Sequence, residues 1–447
     1  MVVPISAQKG GSKNRNNSDT QGCKETEIGL IPKDWSIQTF NQIFDFLPTA
    51  INSRADLSQD GDVYYIHYGD IHTRFHGHLD FQYKSPPRID SRRCRNAAKV
   101  RNGDWVMADA SEDIEGVGKS VEICGLRQDA ISGLHTYLLR EKASTFVPGF
   151  KGHLADSPQV RAQYVRAMTG MKVFGVSKGA LRKLLLPIPP KREQELIAKA
   201  LSDADGLIEG LENLIGKKRQ IKKGAMQELL SGGRRLPGFE GEWGGKTFAE
   251  IFDFYPTATN SRADLNDAGD TYYIHYGDIH TRFHSHLNLR DKQPPKIARH
   301  KCRNAAHVRN GDWIMADASE DFDGVCKSVE VLGLSEGDKV VSGLHTFLLR
   351  EKVPTFVPGF KGHLGNLKSL RDQYLRVMTG MKVFGVSKAA LRDLVLPIPG
   401  PKEQDAIVRV LSNMDADIVL HEDKVAKARH IKQGMMQDLL TGRVRLI

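Results

Sequence analysis

Apolar residues along this chain fall into two regimes that alternate twice. In the first regime, short runs such as Val63-Tyr64-Tyr65-Ile66-His67-Tyr68 and Asp104-Trp105-Val106-Met107 are rich in β-branched and aromatic residues. Turn residues such as Asn102-Gly103 separate them, which predicts strands. Tyr164-Val165-Arg166-Ala167-Met168 reads as a short helix, and the regime closes at Leu184-Leu185-Leu186-Pro187-Ile188-Pro189-Pro190, where prolines stop a strand and can start a helix. In the second regime, from about 192 to 230, Ile197, Leu201, Ala204, Ile208, Leu211 and Ile215 step by 4, 3, 4, 3 and 4, a heptad seam. Ile407, Leu411, Met414, Ile418, His421 and Val425 repeat the steps later in the chain. At about 1.5 Å per residue, such a segment is a rod of roughly 58 Å. A stripe so long and narrow predicts that the two rods pair with each other; the alternative is that each packs on its own domain. Lys218 and His421 are polar where the seam should continue, which predicts a weaker coil towards its far end.

The alternation reflects an internal repeat. Residue 44 falls on residue 252, an offset of 208, and 57 of the 80 positions in 44–123 are identical to 252–331. Past a two-residue insertion the match resumes, with Ser132-Gly133-Leu134-His135-Thr136 repeated as Ser342-Gly343-Leu344-His345-Thr346. A period of this size makes each copy a whole domain unit, not a solenoid repeat. Two copies in one chain imitate a homodimer, for which a two-fold is the commonest symmetry, and a two-fold would make the paired rods antiparallel. The 23 differences cluster at 80–93, which reads as a variable outer segment apart from any reading surface.

Charge narrows the class of partner. Lys and Arg number 64 against 54 acidic residues, a formal net charge of +10 over 447 residues, which favours a polyanion without requiring one. Five cysteines, at 23, 94, 124, 302 and 326, show no disulfide or zinc spacing and suit a reducing, cytoplasmic setting. No apolar run is long enough to span a membrane. The polar stretch from Gln8 to Lys24 reads as a disordered arm, extended here to residues 1–28.

A mixed module that ends in proline-rich Pro187-Ile188-Pro189-Pro190 with Glu193-Gln194, continues as a long helix and finishes in Gln227-Glu228-Leu229-Leu230-Ser231-Gly232 resembles the specificity subunit of type I restriction–modification enzymes. The second copy supplies Pro397-Ile398-Pro399, Glu403-Gln404 and Gln437-Asp438-Leu439-Leu440-Thr441-Gly442, and Pro32 with Trp35, then Pro237 with Trp243, open the two modules. The resemblance covers the chain from about residue 29 onward. It implies an α+β architecture with two similar target-recognition domains, at 29–190 and 237–400, in pseudo-two-fold arrangement. Spacer helices at 191–236 and 401–447 would form an antiparallel coiled coil through Ile197, Leu201, Ile208, Leu211, Ile215, Ile407, Leu411, Met414, Ile418 and Val425. It further implies a non-catalytic subunit that reads a split double-stranded DNA target, docks two methyltransferase subunits and can recruit two motor-nuclease subunits. S-adenosylmethionine, ATP and Mg2+ are then expected on those partners and no cofactor on this chain. Members of the family usually carry unlike recognition domains; the near identity of the copies here predicts inverted half-sites that match. A stand-alone two-headed DNA-binding regulator is the alternative.

Catalytic readings fail on their own terms. Ser85-Pro86-Pro87-Arg88 lacks the aromatic that would hold a flipped base, and Gly116-Val117-Gly118-Lys119-Ser120 lacks the first glycine of a phosphate loop. Asp109, Glu112 and Asp113 lack a suitably spaced lysine for a nuclease centre. His67, His72, His76 and His78 recur as a set, but on a strand His67 would lie opposite the other three and no carboxylate or thiol is fixed beside them, so no metal site is expected. Direct readout needs polar donors on a loop or ribbon that enters the major groove. The best local candidates are His72, Thr73, Arg74 and His76, with His280, Thr281, Arg282 and His284, read as strand-end residues after the turn Gly69-Asp70. A solvated hairpin edge is the competing meaning. Ser111 with Lys119, repeated as Ser319 with Lys327, forms a second set, and Lys172 with Lys382 a third. Ser132-Gly133 with His135 reads as a structural turn, and Asp70 and Asp278 as turn-formers. Lys217, Lys218, Arg219, Lys222 and Lys223 either touch DNA between the domains or form a solvated helix face.

Overall fold

The computed structural model describes residues 22–283 and 285–446. They fall into two units: the chain up to Leu211 together with Lys424 onward, and Glu212–Asp423. Each unit therefore holds one copy of the mixed module, the first half of that copy's long helix and the second half of the other one.

In the first unit a five-stranded sheet runs in the order Phe44–Leu47, Thr136–Glu141, Trp105–Ala108, Ser120–Cys124, Gly77–Asp80. It is antiparallel except for its last pair, Ser120–Cys124 with Gly77–Asp80. A three-stranded sheet of Ala130–Ser132, Val63–Ile66 and Arg88–Ile89 lies beside it in sequence. The central strand Trp105–Ala108 is buried at every position, because both faces of the sheet are covered. Alternation sends Trp105 and Met107 into a core with Phe40, Phe44, Phe146 and Phe150, and Val106 and Ala108 into another with Ile66, Ile71, Phe75 and Leu79. The indole of Trp105 stacks on Phe40 at 5.7 Å between ring centroids. The second unit repeats the sheet as Phe252–Tyr255, Thr346–Glu351, Trp313–Ala316, Ser328–Leu332 and His286–Asn288, with Trp313 stacked on Phe248 at 5.7 Å.

The first module begins earlier than its polarity suggested. Cys23–Thr26 is a strand paired with Gly29–Pro32, and Lys24 Nζ donates to the carbonyls of Trp35 (2.6 Å) and Lys33 (3.1 Å). The segment has few apolar side chains of its own, but its backbone is satisfied by a partner strand whose Ile31 is fully buried. The rest of the expected arm, residues 1–21, lies outside the described residues.

Two long helices span Lys191–Ser231 and Pro401–Leu439, starting just past the proline-rich strands Leu185–Ile188 and Val395–Ile398. Their seams combine both expectations, packing on their own module and, farther along, against the other helix. Ile197 and Leu201 sit in the core of their own module, joined there by Leu439 and Leu440. Ile407 and Leu411 do the same in the second unit, joined by Met226, Leu229 and Leu230. Farther along, Ile215, Ile418 and Val425 are buried, and Ile208, Leu211 and Met414 are half-buried. The polar seam positions find charged or backbone partners. In the second unit Lys218 and Lys222 pair with Asp417 and Asp415, Arg219 Nη2 lies 2.5 Å from Glu422, and His421 Nδ1 meets the Asp417 carbonyl at 2.7 Å. In the first unit Lys432 Nζ lies 2.5 Å from Asp205. Residue numbers rise on one helix as they fall on the other, so within the second unit the segments run antiparallel. The second helix also stops short of the expected 447: residues from Leu440 onward turn back, and Arg445 reaches Glu193 and Asp34.

Candidate nucleic-acid interface

At one end of the five-stranded sheet, four segments of the first module converge. Tyr68–Thr73 forms a short helix whose cap His67 accepts the Gly69 amide on Nδ1 at 3.0 Å. This replaces the expected turn and strand end, because Asp70, fully buried, is an anchor: Arg54 Nη2 reaches its Oδ1 at 2.9 Å and Arg74 Nη1 at 3.4 Å. Asp278 repeats this with Arg262 (3.1 Å) and Arg282 (3.3 Å). The second segment is the strand Ala110–Ser111, which pairs with Phe174–Gly175 at the base of a hairpin. The third is the turn before Thr136–Glu141, and the fourth is the hairpin tip at residues 169–175, closed by the Thr169–Gly175 bridge.

The expected readers separate within this frame. His72 is tied to the Ala110 carbonyl through Nε2 at 3.0 Å, and burial holds its counterpart His280, beside Ala318, below the ordinary imidazole range. Thr73 and Thr281 are exposed but bond back to the carbonyls of Gly69 (2.8 Å) and Gly277 (2.7 Å). Arg74 and Arg282 remain about half exposed, so each keeps donors to offer outward while bracing its aspartate. His76 is held below its usual pKa by desolvation and then by Lys119. His284 lies outside the described residues. Ser111 and Ser319 are buried and accept the amides of Asp113 and Asp321 at 3.3 Å each, so they build the turn and do not face outward. Lys119 and Lys327 are half-buried beside strands Ser120–Cys124 and Ser328–Leu332, where a phosphate loop would lead into a helix. Lys172 and Lys382 are exposed on hairpin tips beside Met171 and Met381, which are 94% and 95% exposed. Around the first tip the chain is one-signed: residues 157–192 contain no Asp or Glu but include Arg161, Arg166, Lys172, Lys178, Arg182 and Lys183. Lys218, Arg219 and Lys222, weighed as DNA contacts, are taken up by the helix pairing.

The turn's most unusual member carries no signal in the sequence. Ser132–Thr136 is the expected structural turn: Ser132 Oγ and Thr136 Oγ1 bond at 2.7 Å, and Tyr65 Oη accepts the Leu134 amide at 3.0 Å. Within it His135 holds φ at 56° and His345 holds 54°, left-handed backbone that costs a non-glycine residue roughly 1–2 kcal/mol. The only other described non-glycine residue there is Cys326. His135 Nδ1 lies 3.3 Å from Asp109 Oδ1, and the Tyr68 ring stands edge-on to the imidazole at 5.4 Å. The twin distances are 3.3 Å from His345 to Asp317 and 5.6 Å to the Tyr276 ring. Burial raises the Asp109 and Asp317 pKa above the usual carboxylate range, with the neighbouring histidine pulling the other way. The unchanged Ser-Gly-Leu-His-Thr repeat was visible in the sequence, but nothing in it distinguishes an outward-facing histidine from a turn residue.

Among the described residues no group of His, Cys, Asp and Glu has the arrangement of a metal site, and no helix is long and apolar enough to cross a membrane. Charged and hydrogen-bonding groups stand on loops at a sheet end, beside exposed apolar side chains of the hairpin tips such as Met171 and Val173, a mix that suits groove contacts.

No family model matches the chain. It is 26% identical over 217 residues to the putative type I restriction enzyme MjaX specificity subunit of Methanocaldococcus jannaschii, covering 48% of this chain and 49% of that one. It is 21% identical over 311 residues to the type I restriction enzyme MjaVIII specificity subunit of the same organism, covering 66% and 70%. The alignment thus spans about half the length of the first of these curated relatives and more of the second. A solved chain from work on complex assembly and conformational transition of the type I R-M system shares the fold, with TM-score 0.57 and 15% identity over 93% of this chain and 99% of that one. The curated homologues are thus named type I specificity subunits, and the fold is of the same kind.

Proposed function

We propose that this chain is a non-catalytic DNA-specificity subunit of a type I restriction–modification complex. It recognises a bipartite double-stranded target whose half-sites are inverted and nearly identical. The observation that carries this reading is the duplication of one surface: the anchored helix Tyr68–Thr73, the strained histidine turn and the basic hairpin recur as Tyr276–Thr281, the His345 turn and the Lys382 hairpin. Two copies of one reading surface match two copies of one half-site, and antiparallel pairing of the long helices suits an inverted order. The helices and their flanks dock two methyltransferase subunits, with two motor-nuclease subunits as further partners. S-adenosylmethionine, ATP and Mg2+ belong to those partner chains, and the complex works in the cytoplasm.

Methylome sequencing of cells that carry the chain tests the reading. The expected result is a split motif whose halves are inverted copies of each other; a plainly asymmetric motif overturns the matching of the halves. Affinity purification from the host separates a specificity subunit, which brings methyltransferase chains with it, from a stand-alone regulator, which does not.

A further inference from the structure

The two histidines in left-handed backbone have no part in holding their own turns. The bonds of the first turn come from the Ser132 and Thr136 hydroxyls, the Tyr65 phenol and backbone groups, and none uses the His135 imidazole. In the second turn Ser342, Thr346 and Tyr273 play the same parts. Glycine would hold this backbone without strain, yet histidine stands there in both copies, with its side chain 51% exposed in each. What the imidazole does have is a fixed orientation. Asp109 Oδ1, buried and otherwise without a hydrogen-bond partner, faces Nδ1 at an ion-pair distance of 3.3 Å, and Tyr68 braces the ring edge-on. His72 in turn stands edge-on to Tyr68 at 6.0 Å while bonding to Ala110, next to Asp109. Asp317, Tyr276 and His280 build the same support around His345.

A carboxylate beside Nδ1 selects the tautomer that carries its proton there, so the outward Nε2 of the neutral ring offers a lone pair. In the major groove the base groups that can donate to it are the exocyclic amines of adenine and cytosine. We propose that His135 and His345 are specificity-determining residues, each accepting a hydrogen bond from an adenine or cytosine amine at the same position of its half-site. This rests on the DNA-recognition reading above and adds to it the chemical class of the group that is read. Asp109 and Asp317 act through the histidine as positioning residues.

The test uses the complex isolated from its host through a tag on the full chain, and duplexes of its methylation target. In these duplexes adenines are replaced one at a time by purine and cytosines by 2-pyrimidinone, analogues that lack the amine. Wild-type complex is expected to lose about tenfold in affinity at one symmetry-related position in each half-site, the scale of a lost base contact. The double variant His135→Gly with His345→Gly relieves the strained backbone, so it should melt no lower than wild type, yet bind amine-bearing and amine-less duplexes alike at those positions. The double variant His135→Asn with His345→Asn, which also tolerates left-handed backbone, restores an acceptor in its amide oxygen and should recover part of the amine preference that the glycine variant loses. Asp109→Asn with Asp317→Asn should move the ring proton to Nε2 and shift the preference there towards a base that presents an acceptor. Equal losses on every analogue for wild type and both histidine variants overturn the proposal. A wild-type complex that binds its target no better than random duplex instead overturns the DNA-recognition reading itself.

Discussion

The buried histidines His153 and His363 show what single residues contribute and what a sequence conceals. Each is almost wholly buried, with its ring against another imidazole: His78 at 4.8 Å and His286 at 4.7 Å. Burial, and then the neighbouring histidine, hold both well below the ordinary imidazole range, so they fold as neutral rings. Facing them from the long helices are Asp205, 4.0 Å from His153, and Lys432 in the first unit, and Lys222 in the second. Below about pH 6.5 an unfolded chain protonates these groups while the folded one does not. Their stabilising contribution is therefore present above that pH and lost as pH falls. Melting temperatures measured from pH 7 to 5 should drop, and the double variant His153→Leu with His363→Leu should show a shallower slope. It should not be flat, because His67, His76, His275 and His280 are depressed in the same direction. Identical slopes for variant and wild type would refute the assignment. The histidine-rich segment was visible as composition, but its division was not. His67 became a helix cap, His72 a backbone tie and His78 the neighbour of a residue 75 positions away, a pairing that no local periodicity encodes.

Among the elements, the heptad seams were legible because a period of 3.5 residues survives whatever the helix packs against. Their division of labour was not, since an apolar residue at a seam position looks the same whether a domain core or another helix covers it. The motifs at the helix ends were recognisable as motifs, and the structure gives their physical reason. Glu193, 1% exposed at its side chain, accepts from Trp35 Nε1 at 2.8 Å and from Arg445 Nε and Nη2 at 2.5 and 2.8 Å. Glu403 repeats this with Trp243 (2.9 Å) and Arg235 (2.6 and 2.7 Å). Gln194 accepts the Val147 amide at 2.9 Å and donates to the Pro189 carbonyl at 2.8 Å, tying the helix start to the module it leaves. Each arginine thus comes from the tail after one long helix and neutralises a carboxylate at the start of the other. Removing one partner leaves a buried charge uncompensated. Arg445→Ala should destabilise the first unit by about 3–5 kcal/mol, read as a shift in denaturant midpoint, whereas Glu193→Gln with Arg445→Met together should cost less. If the double variant proves as unstable as the single one, the cost lies in lost packing and not in the stranded charge.

For the molecule as a whole, the duplication was the most legible feature, and it makes a prediction that neither copy could make alone. Differences between the copies concentrate at 80–93, facing 288–301. In the first unit this stretch starts at the end of the edge strand Gly77–Asp80 and includes Tyr83, 82% exposed, and Arg88, whose guanidinium lies over the Tyr64 ring at 4.2 Å. The surface assigned to DNA is built instead from residues that do not differ: Tyr68, His72, Arg74, Asp109, His135 and Lys172 each have an identical counterpart. Ten of the 23 differences fall in this one edge stretch while the named surface residues are all spared, which is the pattern expected if both copies must read the same half-site while their flanks are free to change. Replacing residues 80–93 with the sequence of 288–301 should therefore leave the methylation motif unchanged in both halves. The equivalent exchange has no meaning at the histidine turns, where the copies already agree. Should the exchange alter one half of the motif and spare the other, the variable edge would be reading bases, and the matching halves would owe nothing to the shared turns.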